Sequence, residues 1–557
     1  MTLIYKFELL VVFLAFLGSS GVNKPATMAL GSSGTTASQY VSFAREAILR
    51  EDADAAFSYL SQAYASDSNV SGLMGCFEDT FRVKIRQGVR QGESVLQDRM
   101  GLASMLSDQQ RYEEAAKELR YFLREWNEND GELDVRMRDK AASMLFRSQA
   151  ASCQWENIKE DRSELVRSIE EYFAADESYI LDNIPPVHAF EALKWSCITL
   201  AASTQIASVY ARKALKKMAT TDIGLKIGTP VKNDSIPSIT ISKQIKRKVP
   251  KRKIRIGYIS PDFTGVHPLA FLMQDVFRLH NENNFEVYLY SLSSNNDSCP
   301  EVSKIRDAAC HWKVFSSGDS SLEIAESIRK NDLDIMIDLC GYTGTSIVSE
   351  VMAYRVADSQ ISYMGFPGSS GSTYIDYLIC DQTVVPPEVP SVRKHYSEKL
   401  ITMPHCYFVN SHKYLNIEYD KFSRSDFGLP EEGFVFICHS RPDKIDPEIF
   451  RSWLRVLKKV KSEGKKRGVP REANAVLWLL SSGKEMESNL LHIAHFRPEK
   501  ECPELPDPDN GQVHLTGRNF QVSNNVNPDL NDHLDLSSRI APCTPVTGDI
   551  AWSGWRR

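Results

Sequence analysis

Short apolar segments alternate with amphipathic helical segments from about residue 253 onward, and this alternation constrains the fold more than any other feature. The runs KIRIGYIS, FEVYLYSLS, LDIMIDLCGY, SQISYMGF and YIDYLICD predict buried strands. The segments HPLAFLMQDVFRLHN, SLEIAESIRKN and IVSEVMAYR predict helices between them. Alternation of this kind predicts a parallel sheet covered on both faces, with ligands at the carboxyl ends of its strands.

A second set of alternating segments begins near residue 433. GFVFICHS and NAVLWLLSS predict strands, and DPEIFRSWLRVLKKV predicts a helix that Asp446 caps. The two sets predict two Rossmann-like halves facing a cleft, which suits a nucleotide-linked substrate. The pattern alone does not name a reaction.

Residues 38–220 show a helical pattern almost free of strand signals. In GLASMLSDQQRYEEAAKELRYFLREW, the apolar faces on either side of Gln110 predict two antiparallel helices, and YVSFAREAILREDADAAFSYLSQAYA predicts a similar pair. The small residues where the helices cross are typical of tetratricopeptide-like (TPR-like) repeats. The alanine pairs at 55 and 115 do not fit the usual period of about 34, so we predict two or three repeats at most. A generic helical domain is the alternative.

The other segments complete the predicted domain limits. Residues 1–37 predict a leader or a disordered segment, because ELLVVFLAFLGSSG has about signal-peptide length. An organelle leader and an over-extended gene start, with Met28 as initiator, are alternatives to a secretory signal. The stretch is too short for a spanning helix, so a membrane partner is not expected. Residues 221–252 predict a basic, proline-containing linker, followed by the N-terminal Rossmann-like half at 253–410 and the C-terminal half at 430–557.

Amino-acid composition limits the class of protein and the cellular compartment that the sequence fits. The 557 residues are 42% hydrophobic and 25% charged with a net charge of −6, as in ordinary globular proteins, so nucleic acid is not an expected partner. The eleven cysteines are dispersed without CxxC or cysteine–histidine clusters, which argues against a zinc site or a disulfide framework. We expect the nucleus or cytoplasm, and the basic run KQIKRKVPKRKIR fits either a nuclear import signal or a solvated linker end. An organelle or the secretory pathway is the alternative if the apolar N-terminus is a leader.

The glycines of YMGFPGSSGSTYIDYLICD do not form a dinucleotide-binding fingerprint, because the stretch lacks a G-x-G start and continues into a strand. By spacing alone it predicts a turn. Two D-x-D sequences, Asp332 to Asp334 and Asp507 to Asp509, have metal-binding spacing, but one opens an apolar strand and the other lies in a proline-rich loop. We therefore expect no metal site.

Five segments carry a specific resemblance in their order and spacing: YISPDFTGVHP, GYTGTSIVSEVMAYR, MGFPGSSGSTYIDYLICD, HYSEKLITMPHCYF and DKIDPEIFRSWLRVLKKV. They resemble the catalytic region of the protein O-linked N-acetylglucosamine transferases and their plant relative SPINDLY, over about residues 40–480. The resemblance implies TPR-like helical repeats followed by a GT-B type pair of Rossmann-like halves, the second incomplete. It also implies an inverting, metal-independent glycosyltransferase without a cofactor, which moves a sugar from UDP-N-acetylglucosamine, or from GDP-fucose, to serine or threonine of proteins. The repeats are implied to bind protein substrates and to permit self-association.

The same resemblance assigns residues to the site. Lys444 of the K-I-D-P motif is implied to hold the leaving diphosphate beside the positive end of the following helix, with a surface lysine as the alternative. His267 of the H-P dipeptide is implied to accept the acceptor proton or to orient the sugar, with a packed or capping histidine as the alternative. The implied substrate contacts are Tyr342, Thr343, Gly365, Pro367, Gly368 and Arg355, and the implied nucleotide contacts are Lys444, His439, Ser440, Thr547 and Asp549.

The resemblance weakens towards the end of the chain. The family's histidine-threonine-threonine-glycine turn is matched only by CTPVTGDIAWSGWRR, in which no histidine precedes Thr547, and the family's R-P-A-P reads RVAD after Tyr354. These departures leave open a catalytically silent, repeat-bearing interaction protein. The apolar N-terminus leaves open a further alternative, a glycosyltransferase that acts on small molecules or lipids.

Overall fold

The computed structural model describes residues 35–67, 69–128, 135–221, 252–265, 267–293, 299–316, 318–343, 347–414, 422–495, 513–516 and 520–521. Its contacts divide the chain into two compact units, Met1–Ser168 with Phe422–Ile540 and Ile169–Lys421 with Ala541–Arg557. The helical part is thus divided at residue 168 rather than separated as a block at residue 220. The predicted leader and nearly all of the predicted linker lie outside the described residues.

The described residues before the first strand are mostly helical, as predicted. They are α1 (Ala37–Leu49), α2 (Ala53–Ser66), α3 (Leu73–Gln91), α4 (Leu96–Asp108), α5 (Tyr112–Glu128), α6 (Val135–Ser152), α7 (Ile158–Ala174), α8 (Glu177–Asp182), α9 (Ala189–Lys194) and α10 (Leu200–Ala219). Helices α4 and α5 match the predicted pair, and the turn between them contains Gln110 with φ of 63°. Ala115 and Ala116 are fully buried, which lets neighbouring helices approach closely.

The second unit contains a seven-stranded, all-parallel sheet in the order β3-β2-β1-β4-β5-β6-β7. The strands are β1 (Ile254–Ser260), β2 (Phe285–Ser291), β3 (His311–Val314), β4 (Leu333–Asp338), β5 (Ala357–Ser362), β6 (Tyr377–Asp381) and β7 (Lys399–Met403). The intervening helices are α11 (Pro268–Met273), α12 (Pro300–Asp307), α13 (Ser321–Arg329), α14 (Ile347–Ala353) and α15 (Pro390–Arg393). Helix α10 also packs in this unit, against α14.

One helix was predicted to be too long. The sequence predicted it over residues 267–281, whereas α11 ends at Met273. The side-chain amide of Gln274 donates to the carbonyl of Phe271 at 2.9 Å. A continuing helix would use that carbonyl for its next backbone hydrogen bond. A short 3-10 turn, Phe277–Leu279, replaces the rest of the predicted helix.

The first unit contains a second sheet, in the order β11-β10-β9-β8. Strands β8 (Val435–Cys438), β9 (Val476–Leu480) and β10 (Val513–Thr516) are parallel, and β11 (Phe520–Gln521) is antiparallel to β10. Helices α16 (Pro447–Arg467), α17 (Pro470–Ala473) and α18 (Lys484–His495) accompany them. As predicted, Asp446 caps α16, and its carboxylate accepts from the N–H of Glu448 at 3.0 Å.

The predicted fold class is confirmed, with helical repeats followed by two Rossmann-like sheets, the composition of a GT-B protein. Within the described ranges, no helix has both the length and the hydropathy needed to cross a bilayer.

Candidate active site

The order of the seven-stranded sheet locates a ligand crevice. Strands β1 and β4 are neighbours, and the chain leaves β1 towards β2 on one side and β4 towards β5 on the other. In open parallel sheets, ligands bind outside the carboxyl ends of the strands at such a reversal. The loop after β1 carries Asp262 and His267, and the loop after β4 carries Tyr342 and Thr343. The fold therefore brings His267 to the same sheet edge as the predicted G-Y-T turn.

His267 caps α11 through its ring. Its Nδ1 accepts from the N–H of Leu269 at 3.3 Å, and its Nε2 lies 3.7 Å from Oδ1 of Asp262. Burial lowers the pKa of His267, so the neutral imidazole predominates at pH 7. Because Nδ1 accepts, the single hydrogen of the neutral ring lies on Nε2, towards Asp262. To accept a proton, the ring must give up the cap bond or pass its Nε2 hydrogen on, so the catalytic role of His267 stays a prediction.

Asp338, the last residue of β4, shapes the turn that follows. Its Oδ1 accepts from the N–H groups of Cys340 and Gly341, both at 2.8 Å. The side chain is buried, and burial raises its pKa to about 6. This buried carboxylate holds the turn that contains Tyr342 and Thr343.

Tyr342 is a structural residue rather than an exposed substrate contact. Its side chain is buried, and its hydroxyl lies 3.1 Å from the carbonyl oxygen of Ala207 on α10 and 2.9 Å from that of Ser370. The predicted substrate contact through this side chain is therefore corrected. Thr343 is half-buried, and its hydroxyl donates to the carbonyl of Cys340 at 2.8 Å, so its role as a substrate contact stays a prediction.

The glycine loop after β5 packs against its own protein. A Cβ on Gly365 would collide with the carbonyl oxygen of Leu339, and one on Gly368 would lie 3.0 Å from the side chain of Leu193. Gly371 has φ of 61°, and a Cβ there would lie 2.6 Å from the backbone nitrogen of Ser208. These glycines permit close approach of β4, α9 and α10. Pro367, in the same loop, is partly exposed and stays a candidate contact.

Arg355 lies at the wrong edge of the sheet for the predicted substrate contact. It precedes β5, at the amino ends of the parallel strands, and its own φ is 56°. Its guanidinium bonds to Asp376 and donates to the carbonyls of Tyr374 and Asp358 at 2.8 and 3.0 Å. Arg355 therefore links the residues at the starts of β5 and β6. The prediction that it contacts the substrate is corrected.

The predicted nucleotide contacts in the first unit follow β8. His439 and Ser440 are exposed at the carboxyl end of that strand, and the ring of His439 stands at 90° to Trp478 with centroids 4.8 Å apart. Lys444 ends a 3-10 turn, Pro442–Lys444, and is exposed, with no ion pair to any residue that the structure describes. Thr547 and Asp549 lie outside the described residues.

The helix that follows Lys444 does not offer a free N-terminus. Asp446 caps it, and Pro447 at its first position has no N–H. A phosphate at this turn would therefore meet the ammonium group of Lys444 more readily than the helix end. The expectation that the helix end helps to bind the diphosphate is corrected. The expectation that Lys444 binds it stays a prediction.

No cluster of histidine, cysteine, aspartate or glutamate suited to a metal ion occurs in the ranges that the structure covers. Asp332 and Asp334 pair instead with Arg252, at 3.3 and 2.6 Å. The second D-x-D sequence, residues 507–509, lies outside the described residues.

Residues 237–420 match a protein family described as glycosyl transferase family 41. We call this matched range the family 41 segment. The chain is 42% identical over 240 residues to the probable UDP-N-acetylglucosamine–peptide N-acetylglucosaminyltransferase SEC of Arabidopsis thaliana, a match covering 42% of this chain and 23% of that protein. It is 28% identical over 219 residues to the similarly described SPINDLY of the same plant, covering 38% of this chain and 22% of that protein. The chain thus spans less than a quarter of the length of these relatives.

A solved structure, a mutant O-GlcNAc transferase of Thermobaculum terrenum, matches 86% of this chain and 74% of its own, with a TM-score of 0.46 and 18% identity.

The family 41 segment contains one of the two groups of predicted site residues. It includes His267, Thr343 and Pro367, which lie at the carboxyl edge of the seven-stranded sheet. It ends before Lys444, which follows a strand of the other sheet.

The sequence did not single out two buried carboxylates of the family 41 segment. Besides Asp338, Glu398 is only 1% exposed, and it accepts from the N–H of Ser370 at 2.7 Å and from the hydroxyl of Ser369 at 2.9 Å. The hydroxyl of Ser370 also bonds to it. For Asp338 the sequence did contain a signal, because this aspartate ends a predicted strand just before the turn that contains Gly341 and Tyr342. An aspartate at that position commonly accepts hydrogen bonds from the N–H groups of the following turn.

Replacement of Gly365 by alanine distinguishes its packing role from a role in substrate approach. The new methyl group would overlap the backbone of Leu339, and we expect a loss of about 3 kcal/mol in unfolding free energy. Gly75 on α3 is the control, because a Cβ there meets nothing within 4 Å, and G75A should be neutral or stabilising. Thermal and urea unfolding measure both variants. A G365A protein of normal stability with a raised substrate KM would instead support substrate approach.

Replacement of Asp338 by asparagine should remove a pH dependence of stability. Burial raises the native pKa to about 6, above the ordinary aspartate value of about 3.9, so the native state binds the proton more tightly. The stabilisation is complete below the unfolded pKa and is lost as pH rises through the native pKa. An asparagine Oδ1 can still accept both turn N–H groups. Between pH 4 and 7, D338N should gain about 2 kcal/mol relative to the parent, measured by urea unfolding. A difference independent of pH would contradict this.

Proposed function

We propose that this protein is a metal-independent, inverting O-glycosyltransferase that moves N-acetylglucosamine, or fucose, from a nucleotide sugar to serine or threonine of proteins. The observation that carries the proposal is the family 41 match over residues 237–420, which covers the sheet and the crevice at its carboxyl edge. The relatives that share this segment are described as acting from UDP-N-acetylglucosamine on peptides.

The proposed chemistry needs a group that neutralises the diphosphate as it leaves, and no metal or cofactor is required for it. Lys444 supplies a positive charge that is not committed to an ion pair with any described residue. A preorganised cation of this kind acts where charge develops in the transition state. The donor is UDP-N-acetylglucosamine or GDP-fucose.

We further propose that protein substrates bind the helical repeats and that the protein works in the nucleus or cytoplasm. The cysteines in the part of the chain that the structure describes are all free thiols, which suits a reducing compartment.

The direct test is transfer. The purified full chain is incubated with radiolabelled UDP-N-acetylglucosamine or GDP-fucose and a serine-rich protein acceptor, and label in the protein fraction is counted. We expect transfer from one donor, unaffected by a metal chelator. Absence of transfer from both donors would overturn the proposal for this chain.

Nucleotide binding distinguishes an active transferase from the catalytically silent alternative. A donor-binding enzyme should show a thermal shift with either UDP or GDP, whereas a protein that keeps only the fold should show none with either.

A further inference from the structure

The turn that carries Lys444 rests on the helical repeats within the same compact unit. The 3-10 turn Pro442–Lys444 packs against α6, and Sγ of Cys153, just after that helix, lies 3.9 Å from the carbonyl oxygen of Pro442. Cys153 has φ of 54°, an unusual conformation for a residue with a side chain. Trp155 continues the contact, because its ring meets Phe450 of α16 with centroids 5.8 Å apart. Helix α6, Cys153 and Trp155 therefore pack against the Lys444 turn and the helix that follows it.

Arg162 of α7 adds an electrostatic link to the residues beside Lys444. Its Nη2 lies 2.6 Å from Oδ2 of Asp446, and its Nη1 lies 3.3 Å from Oε1 of Glu448. The side chains of Arg162 and Asp446 are only 20% and 21% exposed, so solvent screens this pair less than an ordinary surface pair. One guanidinium thus holds both carboxylates at the start of α16.

We propose that Arg162 is a positioning residue for nucleotide-diphosphate binding, which fixes the Lys444 turn and neutralises the acidic start of α16. The proposal rests on the proposed function, since it assigns Lys444 to the diphosphate. Asp446 is two residues from Lys444, and without Arg162 both it and Glu448 would lose the guanidinium that pairs with them at the start of α16. Like charges at that distance weaken anion binding. The helical repeats then form part of the donor site's support, in addition to any contact with protein substrates.

The experiment compares R162A with R162K and with R167A in the full chain. Arg167 is a matched control on the same helix, because it pairs with Glu164 of its own helix and is 52% exposed. Donor KM, acceptor KM and the dissociation constants of UDP and GDP are measured. We expect R162A to raise donor KM and the dissociation constant of the preferred nucleotide about tenfold, the loss of one well-placed charge-assisted contact, with acceptor KM unchanged. R162K should recover part of the loss, and R167A should match the parent.

Hydrogen exchange supplies a readout independent of activity. The N–H groups of Lys444 and Ile445 donate to the carbonyls of Arg441 and Pro442 at 3.0 and 2.8 Å, so they report directly on the turn. R162A should raise their exchange rates, whereas R167A should not. Unchanged exchange and unchanged nucleotide affinity in R162A would overturn the proposal. If the parent binds neither UDP nor GDP, the proposed function and the donor role of Arg162 both fail, while exchange still shows whether Arg162 holds the turn.

Discussion

Substitution of Lys444 by alanine should lower kcat for sugar transfer by about 10² to 10³, which corresponds to roughly 3 to 4 kcal/mol of transition-state stabilisation. Negative charge develops on the leaving diphosphate as the glycosidic bond breaks, and a nearby ammonium group stabilises that charge. Lys444 is exposed, so its removal should leave Tm unchanged. The loss should therefore appear in kcat, measured with saturating donor, rather than in the amount of folded protein.

Two variants make this result specific. Lys459 on α16 is also exposed, and K459A should retain parental kinetics. K444R keeps the positive charge and should recover part of the rate, because the guanidinium can also bind phosphate but sits on a different stem. Equal kcat for K444A and K459A would remove Lys444 from the mechanism.

The central strands could be predicted because most of their residues are apolar and buried. β1, β2, β4, β6 and β9 each lie within a predicted apolar run, and β5 overlaps one. The edge strand β8 was also predicted, because its four residues VFIC are all apolar although they are partly exposed. By contrast, β3 and β7 were not predicted, because they are edge strands whose residues are largely exposed and carry no continuous apolar signal. Periodicity reports burial, so exposed edge strands give little signal.

The site was predicted less well, since sequence position does not reveal which partner a side chain meets. Tyr342 and the loop glycines were expected to face a ligand, but they pack against α9 and α10. The contacting residues of those helices are more than a hundred positions away in the sequence, as for Ala207 and Tyr342, and no local pattern indicates the contact. The prediction that Arg355 contacts the substrate was wrong for a related reason. Its position at the amino ends of the strands becomes apparent only once β5 is known to be parallel to its neighbours. The motifs therefore identified segments correctly and the roles of individual side chains only in part.

Glu398 should prove as important for stability as Lys444 is for rate. The segment HYSEKLITM that contains it contributed to the resemblance, but no role was assigned to the glutamate. E398A would leave the buried N–H of Ser370 without its acceptor. It would also remove an acceptor from the buried hydroxyls of Ser369 and Ser370, whose remaining acceptors would be the hydroxyls of Ser397 and Ser372. Each buried donor left unsatisfied costs roughly 1 to 3 kcal/mol, so we expect a total loss of about 4 kcal/mol and a fall in Tm on the order of 10 °C.

A graded series then tests whether this carboxylate holds the glycine loop. E398Q keeps the volume and one acceptor oxygen and should lose about half as much stability as E398A. E388A, at an exposed position before β7, should change the unfolding free energy by less than about 0.5 kcal/mol. Unfolding in urea gives the three values. If E398A and E388A were equally stable, the hydrogen bonds to Ser369 and Ser370 would not define the loop. If they differ as expected, the hydrogen bonds that Glu398 accepts hold the loop beside the crevice, and the loop glycines allow the close packing around it.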